Sequence, residues 1–318
     1  MSASSLSSPN ISGNDHVAAA VIGTLIYFDL FHYPLKLQEL VMNCQHVPSS
    51  EESIRHATGQ LVAEEKIFVK DGLYFLPGRE QIVQRRKEGN LLAEQFMKKA
   101  KGYSALISSF PFVRCVCISG SLSKGFMDKD SDVDYFIITE PGRLWVCRTF
   151  LVLFKKIFLL NSKKYFCVNY FVDENNLSIP DKNIFTATEL SSIIPVYNYA
   201  MYNRLIMENT WCRDFYPNKK IVRTHENMPY RNGPVKRLTE WLLKGKMGEW
   251  LDKRFFAFTV KHWKKKFSSF DESAFDLNLR SRKNVSKHHP QGFQYKVLND
   301  LENNKRMYAE RFKVSFPK

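Results

Sequence analysis

The sequence lacks any Cys-x-x-Cys pair, the spacing that most often announces a zinc site. Its six cysteines lie mostly in apolar runs, and Cys115, Cys117 and Cys167 fall on predicted strands. A free cysteine in such a place behaves as a small apolar side chain. We therefore expect reduced core cysteines and no zinc site.

A long uncharged apolar run is also missing. The longest apolar run, residues 144–160, contains Arg148, Lys155 and Lys156, and is too short and too charged to span a bilayer. Residues 1–12 are rich in serine and have no apolar core, which is typical of a disordered tail and not of a signal peptide. We expect a cytoplasmic protein with no membrane partner.

Acidic residues are scarce in one part of the chain. The 318 residues carry a net charge of +15, and residues 219–318 contain 24 Lys or Arg against 10 Asp or Glu. We expect a basic helical C-terminal region here, whose polar side could bind a nucleic acid or another polyanion. Apolar residues recur in it at helical spacing and are predicted to be largely core: Leu238, Trp241, Leu242, Met247, Trp250 and Leu251.

A basic segment, residues 280–289, follows and is predicted to be a loop. It could contact the phosphates of a nucleotide or an anionic acceptor, or it could be a solvated surface stretch. His288 and His289 in it could be metal ligands, but adjacent histidines without a nearby acid are more often incidental.

Residues 13–88 have the order of elements found in a winged helix. Helices are predicted over 16–31, over 35–43 and from a capping box, Ser49 with Glu52, to about residue 64. Asp71-Gly72 then separates two short apolar runs, which is a strong signal for a type I′ hairpin.

The charge of this module does not favour DNA. Residues 13–88 contain 8 Lys or Arg against 10 Asp or Glu, whereas affinity for DNA depends on neutralising phosphates. If its third helix did read DNA, Arg55, His56 and Thr58 would be the candidate contacts. A role in packing or protein contact is the interpretation that the charge favours.

One stretch of the chain carries a chemical pattern. An apolar run ends at Gly120-Ser121, a short polar segment follows, and Asp132-Val133-Asp134 opens a second apolar run. Side chains alternate along a strand, so Asp132 and Asp134 are predicted to share one face of a strand over 132–139. Two carboxylates beside a glycine turn suit a site for a metal ion and a nucleotide.

In this order of strand, Gly-Ser, short helix and acid–apolar–acid strand, the sequence resembles the DNA polymerase beta-type nucleotidyltransferase superfamily. The resemblance covers roughly residues 110–175. It implies a polymerase beta-like fold and the transfer of a nucleoside monophosphate from an NTP to an acceptor, with release of pyrophosphate. It implies Mg²⁺ or Mn²⁺ bound by Asp132 and Asp134, and phosphate binding by Gly120, Ser121, Ser123 and Lys124.

The sequence departs from the family at the third carboxylate. Asn169 stands at the interior polar position of the next predicted strand, 164–172, and an amide cannot act as a base. Three readings stay open: an enzyme that depends mainly on one metal, an enzyme with a relocated acid such as Glu189, or a nucleotide-binding protein without turnover. Asp173 lies too far along the strand to substitute.

Together these patterns predict an α+β protein. A disordered tail over 1–12 and a winged-helix module over 13–88 precede a nucleotidyltransferase core over 89–218, with a mixed sheet and helices, and the basic helical region over 219–318 ends the chain. Within the core, a linking helix over 79–109 and a helical stretch over 186–211 are expected. The apolar stripe of the linking helix is predicted to contain Val83, Leu91, Leu92, Phe96 and Leu106.

The expected function is that of a Mg²⁺-dependent nucleotidyltransferase with an unknown acceptor. The alternatives are a nucleotide-binding protein without turnover, a regulator that binds nucleic acid through the winged helix or the basic region, and a module that binds a protein partner.

Overall fold

A computed structural model describes residues 13–219 and 233–316, and the predicted tail over 1–12 lies outside the described residues. The fold is α+β. Residues 13–86, 213–219 and 297–316 form one compact unit, and residues 87–212 with 233–296 form a second. The domain boundaries expected from the sequence stay a prediction, as do the winged-helix and nucleotidyltransferase identities of the modules.

The described residues contain thirteen helices and nine strands. The helices are α1 (Gly13–Asp29), α2 (Leu37–Met42), α3 (Glu51–Ala63), α4 (Ile82–Ser108), α5 (Gly120–Ser123), α6 (Leu144–Phe158), α7 (Ile184–Ser192), α8 (Tyr199–Met207), α9 (Cys212–Phe215), α10 (Pro234–Leu243), α11 (Lys246–Lys266), α12 (Glu272–Leu279) and α13 (Phe293–Phe312). The strands are β1 (Leu35–Lys36), β2 (Phe68–Lys70), β3 (Leu73–Phe75), β4 (Val113–Ser119), β5 (Asp134–Thr139), β6 (Cys167–Asp173), β7 (Ile194–Tyr197), β8 (Ser281–Arg282) and β9 (Val285–Lys287).

In the first unit, β1 lies between α1 and α2, and α3 is followed by β2 and β3; the three strands form a sheet with the order β1-β3-β2. The turn between β2 and β3 is the predicted one, because Asp71 and Gly72 both have positive φ, 53° and 72°. The capping prediction was wrong by one residue. Ser50, and not Ser49, is the N-cap of α3, since its side chain accepts a hydrogen bond from the backbone N–H of Ser53.

The third helix offers fewer polar groups to a partner than its sequence suggests. Thr58 is buried and its hydroxyl donates to the carbonyl of Arg55. Arg55 itself forms an ion pair with Glu51 at 2.8 Å. Of the three candidate DNA contacts, Thr58 is therefore excluded by burial.

The second unit is built on a six-stranded mixed sheet with the order β7-β4-β5-β6-β9-β8. Strands β4 and β5 pair antiparallel, whereas β5 and β6 pair parallel and are joined through α6. A parallel pair requires such a crossover connection. The core joins side chains of α4, β4, β5, α6 and β6 into one cluster, with Trp145, Phe112 and Phe171 among its largest members.

Two predictions about the helices of this unit were wrong. The stretch 186–211 is not one helix, because Ile194–Tyr197 forms β7 and pairs with β4. Pro195 lies in the middle of this stretch, and proline disfavours a helix interior. Leu91 was expected on the apolar stripe of α4 but is 64% exposed. Val83 and Phe96 of the same predicted stripe are buried.

The apolar residues of the basic region are mostly not core. Leu238, Trp241, Leu242, Met247 and Trp250 are all at least half exposed, and only Leu251 is partly buried. The helices α10 and α11 each bury a side other than the predicted one. On α11 the buried residues are Gly248, Asp252 and Trp263, so the prediction from helical spacing chose the wrong side of the helix.

The basic segment 280–289 is not a loop, because β8 and β9 form a hairpin that extends the sheet beside β6. Two of its basic side chains are buried and form ion pairs with an acid that lies outside the segment. Arg280 makes a bidentate pair with Asp181 at 2.8 and 3.0 Å, and Lys287 contacts the same carboxylate at 3.3 Å. These two cations are therefore structural and do not offer charge to a phosphate.

The two adjacent histidines pack against aromatic rings of the second unit. His288 lies 4.7 Å from the ring of Trp263, and His289 lies 6.2 Å from the ring of Tyr170. Burial, with the neighbouring charge of Arg148, lowers the pKa of His288 from 6.5 to about 3. Burial, with Lys287, lowers the pKa of His289 to about 4. Both rings are therefore neutral in the fold at physiological pH.

Replacing His288 by Phe should flatten the acid limb of the stability curve. The unfolded chain binds a proton near pH 6.5 that the folded His288 accepts only near pH 3, so stability falls as pH drops through this window. Between pH 7 and pH 5 this amounts to about 2 kcal/mol of unfolding free energy. Urea unfolding at both pH values should show a smaller loss for His288→Phe than for wild type. His262→Phe, at an exposed position of α11, is the control and should keep the wild-type loss; equal losses in all three proteins would contradict the assignment.

Candidate active site

The glycine turn after β4 lies directly against the carboxylate that begins β5. The register of the two strands pairs Ser119 with Asp134, so the residue after Ser119 must turn beside that side chain. Gly120 has a φ of 66°, and a Cβ at this position would lie 2.5 Å from Oδ2 of Asp134. Only glycine satisfies both the left-handed backbone and the close approach. The backbone of the Gly-Ser turn and one carboxylate thus form a single small site.

The carboxyl group of Asp134 lies in an environment that disfavours its charge. Burial, with the nearby charges of Glu189 and Asp132, raises the pKa of Asp134 to about 6, against smaller lowering contributions from Cys167 and Lys124. A cation at this point would reverse the effect, because it would stabilise the ionised form. Perturbed carboxyl groups of this kind are concentrated at functional sites.

Asp132 is less closely held than the sequence suggested. The strand β5 begins at Asp134, so Asp132 precedes the strand and the alternation of strand side chains does not place it. Its charge nevertheless acts on the carboxyl group of Asp134 and on the thiol of Cys167, so Asp132 lies within electrostatic range of both. The expected pairing of the two carboxylates around one metal ion stays a prediction.

Asn169 faces the same carboxylate from the neighbouring strand. The parallel register of β5 and β6 pairs Tyr135 with Val168 and Phe136 with Tyr170, so Asn169 is the extra residue of a bulge. Its side-chain NH₂ donates to Oδ1 of Asp134 at 2.9 Å. The amide therefore orients the carboxylate by a hydrogen bond. Asn169 presents its NH₂ group, and not its oxygen, to the carboxylate that is predicted to bind the metal.

Cys167 is a site residue that the sequence analysis missed. It was assigned to the core, but its Cα is paired with that of Asp134 and it is only partly buried. Its thiol interacts with the Asp134 carboxylate, and burial with that negative charge raises the pKa of the thiol. The thiol is therefore a neutral donor to Asp134 and not a nucleophile. The sequence feature that could have identified it is its place on the predicted strand that follows the Asp132–Asp134 strand.

Lys124 and Glu189 form the other side of the site. Nζ of Lys124 contacts Oε1 of Glu189 at 2.7 Å and also donates to the carbonyl of Gly120 at 3.0 Å. Glu189 comes from α7, 65 residues further along the chain. The structure thus brings the relocated acid that the sequence left as one possibility to the same place as the glycine turn.

The two serines of the turn are occupied by local contacts. Ser123 donates its hydroxyl to the carbonyl of Gly120 at 2.7 Å, and the Ser121 hydroxyl points to the sulfur of Met127 at 3.4 Å. The Ser123 bond stabilises α5, which has only four residues. A helix this short has a small dipole, so any phosphate binding here would depend on backbone N–H groups and on Lys124.

The donor set is suited to one hard cation more clearly than to a complete metal cage. Within the described parts of the chain, no group of three or more His, Cys, Asp or Glu side chains is arranged to hold a metal ion. Mg²⁺ needs only one or two carboxylates when substrate phosphates complete its shell. Asp132 and Asp134 can supply these.

In the described ranges no helix is both long and apolar enough to cross a bilayer.

Gly120→Ala should destabilise the protein more than a matched glycine change. Both Gly120 and Gly142 have a positive φ, 66° and 68°, but only at position 120 would the new methyl group meet a side chain. Strained backbone costs about 1 kcal/mol at either site, and the clash with Asp134 should add about 1–3 kcal/mol at position 120. Urea unfolding of Gly120→Ala and Gly142→Ala measures the difference. Equal losses would mean that the turn can move away from the carboxylate.

Comparisons with family models, with curated proteins and with solved structures each found no match to this chain. The case for the site therefore consists of its own geometry: a glycine turn in contact with Asp134, and Asp132, Asn169, Cys167, Lys124 and Glu189 around that carboxyl group.

Proposed function

We propose that this chain is a Mg²⁺-dependent nucleotidyltransferase that moves a nucleoside monophosphate from an NTP to an acceptor. The observation that carries the proposal is the approach of the Gly120 backbone to the Asp134 carboxylate, where a Cβ would lie 2.5 Å from an oxygen. A backbone this close to a carboxylate would let phosphate oxygens on the backbone N–H groups and a cation on the carboxylate lie side by side.

Each side chain has a binding role in this proposal. Backbone N–H groups at Gly120 and Ser121 would receive phosphate oxygens, and Lys124 would neutralise part of their charge. Asp132 and Asp134 would hold Mg²⁺, which when bound supplies charge neutralisation at the transferring phosphate. Asn169 and Cys167 would keep the Asp134 carboxylate oriented through their hydrogen bonds.

In this proposal Glu189 takes the role of the third acid, and its ion pair with Lys124 is released when nucleotide binds. A polyphosphate is a stronger partner for a lysine than a single carboxylate is, so a bound NTP would draw Lys124 away from Glu189. Glu189 could then accept the proton of the attacking acceptor hydroxyl. The acceptor oxygen forms a bond to the α-phosphorus while the bond from that phosphorus to the pyrophosphate oxygen breaks.

A nucleotide-binding protein without turnover is the second candidate, and specific observations favour it. Asn169 brings no charge to the site, and Glu189 already has a cationic partner at 2.7 Å. If that ion pair persists with nucleotide bound, no free acid remains to take the proton. The site would then hold an NTP and its cation without transferring the nucleotide.

The first test is nucleotide incorporation. Purified protein with Mg²⁺ or Mn²⁺ and each α-labelled NTP, with total RNA or cell extract as acceptor, should transfer label. Asp132→Asn and Asp134→Asn should each reduce transfer at least about 100-fold, because the cation loses a charged ligand. Asp130→Asn is the matched control, since Asp130 is exposed, lies in the same segment and should leave transfer unchanged.

The outcomes of this test separate the two candidates. Label transferred by wild type and by Asp130→Asn alone supports the enzyme, and the labelled band identifies the acceptor as RNA, protein or small molecule. NTP binding that both active-site variants lose, without transfer, supports the binding protein. Equal NTP binding in wild type and in the Asp134→Asn variant would contradict both.

Asn169→Asp should make the stability of the protein depend on Mg²⁺. The substitution replaces the NH₂ donor, 2.9 Å from Asp134, by a second carboxylate beside a group whose pKa is already raised to about 6. Repulsion should cost about 1–3 kcal/mol without metal, and a bound cation should restore most of it. Thermal unfolding with Mg²⁺ and with EDTA measures this; a variant that Mg²⁺ leaves unchanged would show that no cation binds beside position 169.

A further inference from the structure

The outer side of α10 is an exposed apolar stripe. Val235, Leu238, Trp241 and Leu242 are 75%, 58%, 73% and 50% exposed, and they follow one another around one side of the helix. The opposite side of α10 packs against the rest of the unit, since Lys236 and Leu243 are buried. The Nζ of Lys236 is fixed by the carbonyls of Ser108 and Val113, each at 2.8 Å.

The exposed side of α11 continues the same composition. Met247, Trp250 and Phe258 are 53%, 56% and 72% exposed. At helical spacing they share one side with Arg254, Lys261 and Lys265, which are also exposed. The guanidinium of Arg254 lies 5.3 Å from the ring of Trp250, so the basic and aromatic groups interleave within one surface.

These side chains cannot turn inward, because the back of each helix is anchored. The buried guanidinium of Arg143 donates to the carbonyls of Leu243 and of the following residues, which fixes the corner between the helices. A Cβ on Gly248 would lie 1.7 Å from the Leu243 carbonyl oxygen, so the corner is tightly closed. On α11, Asp252 accepts the backbone N–H groups at the start of α6, at 2.8 and 3.0 Å.

The charge around this outer surface is predominantly positive. Nine basic residues of 233–266 are exposed: Arg237, Lys244, Lys246, Lys253, Arg254, Lys261, Lys264, Lys265 and Lys266. Among the acids of the same range, Asp252 is buried and Glu240 is partly buried in an ion pair with Arg114, which leaves Glu249 exposed. Whatever covers the surface must be both apolar and anionic.

That combination selects the occupant. A second copy of this chain would bring the same positive charge against itself. A nucleic acid would match the lysines and could stack on the tryptophans, but it gives no apolar phase to Val235, Leu238, Leu242 and Met247. Anionic lipid offers both partners at once: acyl chains for the aliphatic side chains, an interfacial layer for tryptophan, and headgroup phosphates for Lys and Arg.

We propose that the outer surface of α10 and α11 binds the face of an anionic membrane, with both helices lying in the interface. The helices would lie on the bilayer without crossing it. The sequence predicted no membrane partner because no apolar run could span a bilayer, and that argument does not exclude binding to a membrane surface. The inference is independent of the function of the Gly120–Asp134 site. It would place the second unit at a membrane surface, which the chemistry of that site does not require.

Vesicle binding by the full chain tests the proposal. Large unilamellar vesicles of phosphatidylcholine alone, and of an equal mixture of phosphatidylcholine and phosphatidylglycerol, serve as probes in a sedimentation assay. We expect binding to the anionic vesicles at least about 10-fold stronger than to the neutral ones, weakening with added salt. The wild-type protein also carries its own reporter. Of its five tryptophans, Trp241 and Trp250 are the two that are more than half exposed, so their fluorescence should shift to the blue on vesicles.

Two double variants locate the contact. Trp241→Ser/Trp250→Ser should lose at least about 10-fold in vesicle affinity and the blue shift with it. Lys261→Glu/Lys265→Glu should lose a similar factor on anionic vesicles only. The matched controls are Leu91→Ser/Met207→Ser and Lys98→Glu/Lys101→Glu, which change exposed residues of the same kinds on other helices of this unit and should bind as wild type does.

Several results would overturn the proposal. Wild-type protein that stays in the supernatant with both kinds of vesicle, and shows no change in fluorescence, would contradict it. Equal vesicle binding by the variants and the controls would also contradict it. Binding to a single-stranded oligonucleotide and not to vesicles, controlled by the tryptophan pair, would assign the surface to nucleic acid. Sedimentation equilibrium showing a dimer that Trp241→Ser/Trp250→Ser dissociates would assign it to self-association.

Discussion

The antiparallel register of β4 and β5 is the constraint on which the candidate site depends. It pairs Ser119 with Asp134, so the chain must leave β4 beside a carboxylate. Gly120 is the residue that permits this, because its positive φ and its missing Cβ meet two separate demands at one position. Once that approach is fixed, α5 and the lysine that follows it have little freedom. Lys124 reaches the carbonyl of Gly120 and the carboxylate of Glu189 together.

The parallel strand β6 is the second positioning element, and its own position depends on charge buried at the far side of the sheet. A bulge turns Asn169 toward Asp134. The strand is held from its other edge by β9, where Lys287 and Arg280 converge on Asp181. An ion pair of this burial is costly to break, because removing Asp181 would leave two cations without a counter-charge. Arg280 and Lys287, which the sequence offered as phosphate contacts, therefore stabilise the sheet that supports the site.

Much of this arrangement could be predicted from the sequence, and the successes share one cause. The hairpin at Asp71-Gly72 and the strand before Gly120 follow from local chemistry, which a short stretch of residues carries complete. Contacts between distant parts of the chain could not be predicted in this way. Asp181 reaches the β8–β9 hairpin from 99 residues before Arg280, and no local pattern predicts a contact across such a separation. Glu189 reaches the site from α7, and the sequence named it only as one possible relocated acid. The bulge at residue 169 is likewise a property of two strands together.

Helical periodicity shows that a helix has an apolar side, but not what that side faces. On α11 the sequence offers two candidate sides: one with Met247 and Trp250, and one with Asp252 and Trp263. The polar member decides the outcome. The carboxylate of Asp252 accepts two backbone N–H groups at the start of α6, so the side that carries an acid is buried and the side that carries two large apolar groups is exposed. Because α11 turns Asp252 inward to bind the N-terminus of α6, its side with Met247 and Trp250 faces outward. Exposure of these apolar side chains to water is unfavourable in free energy, and contact with an apolar phase would remove that cost.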